Sequence, residues 1–389
     1  MRSRRSHIRW YIIFLALCLA VASAYYFSTR YDALRQQLEV HRITSSTPPG
    51  GSYRQALEEL FKHVEGHREE LDFILEWNDI PSRGELETVA QMQDGKVGIG
   101  LIQGDVVISN SGGAGRPARI FALAKLYDEV FVLFTKRQVT NMAEFCALFR
   151  AENGQVRTGS LGEGSQVLID LRNLLDFYRC PSTPEVQHTM GYSEAAAALN
   201  AGQIDLAFMV GGYRQPVIRE LANTEGVQLL ALPDAEALTR NYGGIQTYAI
   251  PTGLFGSGAP AVETQTVSTP ATLVISDRID RAVVYDLADF IFRHKAQLET
   301  GFRQFDIDLP TTQTGAPVHP ASVRAHGEEG LNWLVRNDVI LKSILSIAGV
   351  ILGLCTIVFQ VVRFAHDVSE DQEEEAERAA AQAAAAPGN

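Results

Sequence analysis

The sequence predicts an α/β fold with an apolar helix near each end of the chain. Two observations carry this prediction. Between about residues 70 and 240, short apolar strands alternate with helices that open at Ser or Asn residues, and the two most apolar runs lie at the two ends. Strands that alternate with helices are typical of βαβ units and parallel sheets. The chain has 389 residues, which at about 100–200 residues per domain predicts two or three domains.

The composition excludes several classes of protein. Hydrophobic residues make up 46% of the chain and charged residues 21%, which excludes wholesale disorder. The 34 Lys and Arg residues against 46 Asp and Glu residues give a net charge of −12, which argues against a nucleic-acid-binding protein. The chain has 4 cysteines, too few for a disulfide scaffold. It contains no C-x-x-C pair, so the cysteines do not predict a zinc site.

The first apolar run extends from Trp10 to about Phe27 and follows a cluster of arginines. An uncleaved membrane anchor and a cleaved signal peptide both fit this pattern, since Ala22-Ser23-Ala24 offers a small-residue cleavage site. We therefore expect residues 1–28 to be an anchor or a signal peptide. Residues 29–45 are expected to form a polar stalk.

The second apolar run, from Ser343 to Val362, contains no charged residue and predicts a transmembrane helix over 339–362. With the arginine-rich end inside, the region between the two runs is expected on the extracytoplasmic side of the membrane. The acidic tail, residues 363–389, is then expected to be cytoplasmic.

Cys146 and Cys180 lie in the region expected outside the cytoplasm, where disulfides can form. Two separately buried thiols are the favoured prediction, and a disulfide between them is the alternative.

The first elements of the central region have local sequence signals. Residues 45–51 are rich in Ser, Pro and Gly and are expected to interrupt regular structure. Ser52 and Gln55 have the spacing of a capping box, which predicts a helix that extends to about His67. A strand is expected over 71–75, and Ser82 with Glu85 is expected to cap the next helix.

The later elements repeat this order. They comprise strands at 97–102, 130–134, 155–158, 204–210 and 265–274, and helices that open at Asn141, Ser165, Tyr192 and Arg278, the last extending to about Thr300.

Three Gly/Ser-rich turns that open helices, at 50–52, 81–82 and 162–165, suggest an anion-binding cleft. The first turn of a helix has unpaired N–H groups and the positive end of the helix dipole, which attract carboxylates and phosphates. In open α/β sheets, ligands gather beyond the carboxyl ends of the strands.

Motifs of catalysis are missing from these turns. Gly164-Ser165 lacks the lysine of a phosphate-binding loop, and the same turn is not the Gly-x-Ser-x-Gly of a nucleophile elbow. We therefore expect no enzymatic activity and no cofactor.

The histidines do not predict a metal site. His63 and His67 are spaced i, i+4, but Glu65 is misplaced for His-Glu-x-x-His, and a solvated helix face is the favoured interpretation. His319 and His326, with the two glutamates that follow, lie in a proline-containing loop that gives them no common face.

The order of several motifs resembles the TAXI-type solute receptors of tripartite (TRAP) transporters. The similarity extends from about Pro49 to Gly330. The motifs are Gly50-Gly51-Ser52-Tyr53, the segment 97–105, Leu126-Tyr127-Asp128-Glu129, the turn 159–165, the segment 199–211, Ile250-Pro251 and His319-Pro320 with Arg324 and Glu329.

This resemblance implies a two-lobed, periplasmic-binding-protein-like type II clamp between the two predicted transmembrane helices. Lobe 1 would consist of residues 46–130 and 250–335, and lobe 2 of residues 131–249. The chain would cross between the lobes near Phe134 and Thr247.

The resemblance also implies a set of ligand-binding residues. Amides and hydroxyls of the turns would hold carboxylate oxygens, other residues would line the opposite strand ends, and tyrosines would pack on the ligand. The set is Gly51, Ser52, Tyr53, Ser82, Gln103, Asp105, Gly164, Ser165, Gly211, Tyr213 and Tyr248.

The function implied is a membrane-tethered receptor that binds a small organic acid or an acidic amino acid and delivers it to TRAP-type permease subunits. The alternative is a receptor-like sensor or adaptor that uses the clamp to regulate or assemble a membrane partner. The second apolar run and the acidic tail motivate this alternative.

Overall fold

The structure is a computed structural model. It describes residues 40–48, 51–71, 73–108, 119–162, 164–183, 187–310 and 315–327, with scattered helical residues between 18 and 26 and between 353 and 378. The chain divides into two compact units, residues 32–329 and the two ends together, 1–31 with 330–389. Each unit is described by itself.

The predicted apolar spans belong to the unit formed by the two ends. Most of residues 1–28 and 339–362 lie outside the described residues. Among the residues that the structure describes, no helix is both long enough and apolar enough to cross a bilayer.

The main unit is an α/β fold, as the sequence predicts. Its strands are β1 (Val40–Thr47), β2 (Ile74–Pro81), β3 (Ile99–Gln103), β4 (Ile120–Thr135), β5 (Thr158–Ser160), β6 (Gln187–Thr189), β7 (Leu206–Gly211), β8 (Gln228–Leu229), β9 (Gln246–Ile250) and β10 (Thr264–Ser276). Its helices are α1 (Ser52–Gly66), α2 (Glu85–Gln93), α3 (Met142–Ala151), α4 (Gln166–Phe177), α5 (Tyr192–Asn200), α6 (Pro216–Ala222), α7 (Ala235–Asn241), α8 (Arg281–Arg293), α9 (Lys295–Gly301) and α10 (Pro320–Gly327). A 3-10 turn at Arg68–Glu70 follows α1.

The sheets are mixed, whereas the sequence predicted parallel ones. β1 pairs with β2 in parallel, and β5 pairs with β6 and β7 in parallel. The long strands β4 and β10 are antiparallel to each other, and β10 is antiparallel to β3. The alternation of strands and helices identified the βαβ units but could not reveal two long strands that return through the middle of the sheet.

The hydrophobic core falls into two parts. Core A draws on residues 43–127 and 271–325, and core B on residues 130–267. β4 and β10 pass from one core to the other, so the change of core occurs between Tyr127 and Val130 in β4 and between Val267 and Ala271 in β10. These positions differ from the predicted crossings near Phe134 and Thr247. The predicted lobe boundaries themselves stay a prediction.

The segment that the sequence assigned to a stalk and a structure-breaking turn forms strand β1. Ser45 and Thr47 are buried, and their hydroxyls donate to the two carboxylate oxygens of Asp79 at 2.5 and 2.7 Å. Asp79 lies on the neighbouring strand β2, which replaces the strand predicted at 71–75. Partners distant in the sequence therefore satisfy hydroxyls that would otherwise favour a turn.

Two of the predicted helix caps are wrong. The N-cap of α1 is Gly51 and that of α2 is Gly84, and neither Ser52 nor Ser82 caps a helix. The caps predicted at Asn141 and Ser165 are confirmed, because these side chains accept from the amides of Glu144 and Val167. The long helix predicted from Arg278 is divided at His294 into α8 and α9.

Cys146 and Cys180 form a disulfide, so the favoured prediction of two separate thiols is wrong. Their Cα atoms are 4.7 Å apart, and the bond joins α3 to the segment that follows α4. Both helices contribute to core B, which brings the two cysteines together.

Candidate functional site

A cavity of about 950 Å³ lies between core A and core B and is named here the central cavity. It is lined by Pro48, Gly51, Ser52, Tyr53, Gln55, Glu85, Gln103, Glu129, Leu161, Val167, Gly191, Tyr192, Ser193, Glu194, Val210, Arg214, Gln215, Pro216, Val217, Thr300, Gly301, Phe302, Arg303 and Gln304. Its size is within the range of small-molecule sites, about 300–1,000 Å³.

Strand ends and helix starts converge on the central cavity. β1 ends just before the first turn of α1, and β3 ends at Gln103. β7 ends at Gly211, shortly before α6 begins at Pro216. The loops beyond strand ends carry most ligand contacts in α/β folds, since the sheet holds them together while the loop sequences vary.

The structure brings five of the predicted site residues to this cavity or its wall. Gly51, Ser52, Tyr53 and Gln103 line it. Gly211 stands behind Gln215, whose side-chain oxygen occupies the space where a Cβ on Gly211 would lie. A glycine at this position thus allows the glutamine to reach the cavity.

Ser82, Gly164 and Ser165 do not line the cavity. Gly84 and Gly164 pack backbone against backbone, and the amide of Leu86 donates to the carbonyl of Gly164 at 3.0 Å. Gly84 has φ 152°, and a Cβ there would lie 2.8 Å from the Cα of Ser165, so only glycine fits. The turn before α2 and the turn before α4 therefore bind each other.

The carboxylate of Glu85 occupies the N-terminus of α4. Its Oε2 accepts from the amide of Gln166 at 3.2 Å, and the hydroxyl of Ser165 also bonds to this carboxylate. Burial raises the pKa of Glu85, and these hydrogen bonds oppose that rise. The protein itself thus supplies the anion that the sequence predicted would come from a ligand at this turn.

Tyr53 and Glu129 form a buried pair on the core A side of the cavity. The Tyr53 hydroxyl donates to Glu129 Oε2 at 2.5 Å. Burial raises the pKa of Glu129 well above its usual range, and the nearby charges of Glu85 and Asp105 raise it further. Glu129 therefore favours its neutral form, in which the carboxyl can donate a hydrogen bond.

Asp105 lies in a different place, beside a cavity of about 350 Å³ that Asp170 and Gln166 also line. Burial raises the pKa of Asp105 to about 6. Burial and the charge of Asp105 raise the pKa of Asp170 well above its usual range. The side-chain amides of Gln103 and Gln166 donate to Asp170 at 3.2 and 3.0 Å and so hold its carboxyl group in place.

Tyr213 and Tyr248 pack against core B and are not among the residues that line the central cavity. The Tyr213 hydroxyl donates to the carbonyl of Arg303 at 3.1 Å. Burial raises the pKa of Tyr248, which is half buried on β9. Tyr192 takes the place predicted for these tyrosines: it lines the cavity, and its hydroxyl bonds to both the carbonyl and the amide of Val210.

Sequence reasoning missed several residues that give the cavity its chemistry. Gln215 and Gln304 line it, and Gln215 Oε1 and Gln304 Nε2 are buried without a hydrogen-bond partner among the described residues. Arg214 and Arg303 also line it, and neither forms an ion pair with a carboxylate in the part of the chain that the structure describes, although Arg214 donates to the Tyr213 hydroxyl. The Leu126–Glu129 motif contained Glu129, but no local signal marked the other four residues.

Comparisons with known proteins give one family and several similar folds. A sequence model described as the NMT1-like family matches residues 68–330, more than half of the chain. A TctC solute-binding protein from Polaromonas has 16% identity and a TM-score of 0.45, with 74% of this chain and 95% of that chain covered.

Two further solved structures are similar. One described as a periplasmic transporter has 14% identity and a TM-score of 0.44, over 78% of this chain and 97% of that chain. A probable amino-acid ABC transporter extracellular-binding protein from Bacillus subtilis has 11% identity and a TM-score of 0.40, over 68% and 96%. These similarities are weak, and we base no conclusion on them.

Proposed function

The chain belongs to the NMT1-like family, and from that premise we propose that it is a receptor that binds a small carboxylate in the central cavity. The proposal joins two supports. The first is the ordered resemblance to TAXI-type receptors in the sequence. The second is the polar chemistry of the cavity.

One observation carries the proposal: the cavity wall holds buried polar atoms that have no hydrogen-bond partner in the part of the chain that the structure describes. Gln215 Oε1 is a buried acceptor and Gln304 Nε2 a buried donor; neither makes a hydrogen bond of good geometry among the described residues, and Gln304 also interacts with the buried hydroxyl of Tyr127. A buried polar atom without a partner costs about 1–3 kcal/mol. A solute that pairs with both amides removes this cost, which is a physical reason for binding there.

The charges around the cavity favour a solute with a negative end. Arg214 and Arg303 are exposed at its wall and free of ion pairs among the described residues, and a guanidinium binds a carboxylate through two parallel hydrogen bonds. Deeper in the cavity, the raised pKa of Glu129 favours a neutral carboxyl, which repels an anion much less than a carboxylate would.

Two classes of solute fit this cavity, and they differ in the groups that they need from it. A carboxylate can accept from the arginines and from Gln304 Nε2, whereas Gln215 Oε1 is an acceptor and needs a hydroxyl or ammonium donor on the solute. An acidic amino acid also carries an ammonium group, whose positive charge beside Glu85 or Glu129 would lower the pKa of that carboxyl group and favour its ionised form, since both line the cavity. We keep both classes within the proposal.

The cellular setting is part of the proposal. The domain would lie on the periplasmic side of the inner membrane, tethered through residues 1–28 and 339–362, with the tail 363–389 in the cytoplasm. Its partners would be the subunits of a TRAP-type permease, which receive the solute. The apolar runs in the sequence support this arrangement.

A thermal-shift panel on the full-length chain tests the proposal. Dicarboxylates and acidic amino acids should raise Tm, because a ligand stabilises the state that binds it by RT ln(1 + [L]/Kd). The double variant Arg214→Ala, Arg303→Ala should lose the shift with little change of Tm in the absence of solute.

The matched control is Arg240→Ala, which removes an equally exposed arginine paired with Glu236 on α7. It should keep the shift. A flat panel on a folded wild-type protein would count against the proposal, and so would equal losses in the double variant and the control.

One observation favours the alternative function, a receptor-like adaptor. The carboxylate of Glu85 bridges the turn before α2 and the N-terminus of α4, so these two segments are joined without a solute. An adaptor needs such a fixed arrangement. Deleting residues 363–389 should abolish assembly with a membrane partner if the adaptor function holds, and should leave solute uptake intact if the receptor function holds.

A further inference from the structure

Three histidines from distant parts of the sequence meet on one side of core A. His63 and His67 lie on α1 and its C-cap, and His294 lies at the break between α8 and α9. One nitrogen from each of the three rings lies within 4.8 Å of the others. His63 Nε2 and His294 Nδ1 are only 3.1 Å apart.

His63 and His67, whose i, i+4 spacing favoured a solvated helix face, thus lie beside a third imidazole, that of His294. Two nitrogen ligands of a tetrahedral ion with bonds of about 2.0–2.1 Å are about 3.3 Å apart. The separation of His63 Nε2 and His294 Nδ1, 3.1 Å, is close to this value, and one nitrogen of His67 lies within 4.8 Å of the ligand nitrogens of the other two rings.

In two of the three rings, the nitrogen that would not bind the ion already has a hydrogen-bond acceptor. His294 Nε2 lies 3.1 Å from Glu70 Oε2, and His67 Nδ1 lies 3.0 Å from the carbonyl of His63. Histidines that bind metals usually donate their second N–H to a carboxylate or a backbone carbonyl, which fixes the ring and turns its lone pair toward the ion. Glu70 is itself held by Arg293 at 2.7 Å.

The surroundings leave a way in for an ion and for water. A cavity of about 190 Å³ borders His63 and His67, and Gln297 lines it as well. Gln297 Oε1 accepts from His294 Nδ1 at 2.5 Å, so the Gln297 side chain has to turn away before this nitrogen can bind an ion. Phe290 stacks on His294 and limits the movement of its ring.

From this geometry we propose that His63, His67 and His294 bind a divalent zinc-class ion, with water completing the tetrahedron on the cavity side. The ion would fasten α1 to the junction of α8 and α9, which are more than 200 residues apart in the sequence. Imidazole nitrogens suit Zn²⁺, Cu²⁺ and Ni²⁺, and of these ions zinc is the one that prefers a tetrahedron of four ligands.

The test uses the full-length chain, purified without a histidine tag and stripped with a chelator. Equilibrium dialysis against Zn²⁺ should give one ion per chain, and zinc should raise Tm. X-ray absorption at the zinc edge should show histidine nitrogens at about 2.0–2.1 Å. This last measurement uses the wild type alone, so it does not depend on how any variant folds.

Variants then assign the ligands. His63→Ala and His67→Ala should each weaken zinc binding by more than about 100-fold, because loss of even an outer partner costs about 10–100-fold. Glu70→Gln should weaken it within that 10–100-fold range. His326→Ala is the matched control, since His326 also contacts a carboxylate, Asp308 at 3.2 Å, but belongs to no histidine cluster among the described residues.

Two results would overturn the proposal. One is a wild-type chain that binds no more zinc than the double variant His63→Ala, His67→Ala. The other is an absorption spectrum without histidine scattering, which would mean that the three rings bond only to groups of the protein. Neither result bears on the central cavity, which contains none of these histidines.

Discussion

Buried carboxyl groups are the main feature of this protein at the scale of single residues. Glu85, Glu129, Asp105 and Asp170 are all buried or nearly so around the region where core A meets core B. Burial disfavours the charged form of each, and repulsion from a neighbouring carboxylate adds to that effect at Glu129, Asp105 and Asp170, so the pKa of every one is raised. The folded protein therefore binds protons that the unfolded chain would release.

We predict that the Asp105–Asp170 pair makes the folded state less stable as pH rises from about 4 to about 7. The pKa of Asp105 is raised to about 6 and that of Asp170 is raised well above its usual range. In this window the native state binds more protons than the unfolded state, so the free energy of unfolding falls with rising pH.

Asp170→Asn isolates this effect. Relative to the wild type, the variant should gain about 1–3 kcal/mol across that window, measured as urea unfolding at a series of pH values. Asp94→Asn is the control, because it removes an exposed carboxylate that pairs with Lys96. Parallel pH profiles for the wild type and Asp170→Asn would contradict the prediction.

At the scale of elements, covalent and polar contacts between neighbours in space decide where several elements lie. Asp79 holds Ser45 and Thr47 in β1, and the disulfide fastens α3 to the end of α4. Neither partner is close in the sequence. Local patterns of hydrophobic residues predicted the positions of α1, α4, α5 and β7 in the sequence, because each of these elements packs one face or both faces against a core.

We predict that Cys146→Ser with Cys180→Ser lowers the free energy of unfolding by about 3–4 kcal/mol. A bond between residues 34 apart removes freedom from the unfolded chain, and the loss scales with the length of that loop. Urea unfolding of the wild type with a reductant should reproduce the loss. Cys18→Ser, which leaves the disulfide intact, should change stability little, and an equal loss in that variant would contradict the prediction.

At the scale of the whole unit, β4 and β10 connect the two cores. β4 pairs with β7, β8 and β10, and β10 pairs with β3, β4 and β9. Most of their side chains are buried. Any movement of core A against core B has to bend these two strands.

We predict that the amides of residues 120–135 and 264–276 exchange with solvent most slowly in the full-length chain. Their opening requires disruption of both cores, so its free energy approaches that of global unfolding. Hydrogen exchange read by mass spectrometry measures this. β6 is the comparison, because it pairs with β5 alone among the described strands and should exchange much faster. Equal rates in β4, β10 and β6 would show that the strands do not connect the cores.

The sequence by itself determined the α/β class, most of the helices, and four residues that line the central cavity. The fold class and the helices rest on local physics, namely hydrophobic periodicity and helix-starting residues, whereas the four cavity residues rest on the resemblance to TAXI-type receptors. It also indicated that helix starts would attract carboxylates, and a carboxylate does lie at the N-terminus of α4.

Only the tertiary structure decided which groups meet. It placed Glu85 rather than a ligand at that N-terminus, joined Cys146 to Cys180, brought His294 to His63 and His67, and lined the cavity with Gln215 and Gln304. The physical reason is the same in each case. These contacts join residues far apart in the chain, and their partners follow from how two cores pack around shared strands, which no local pattern contains.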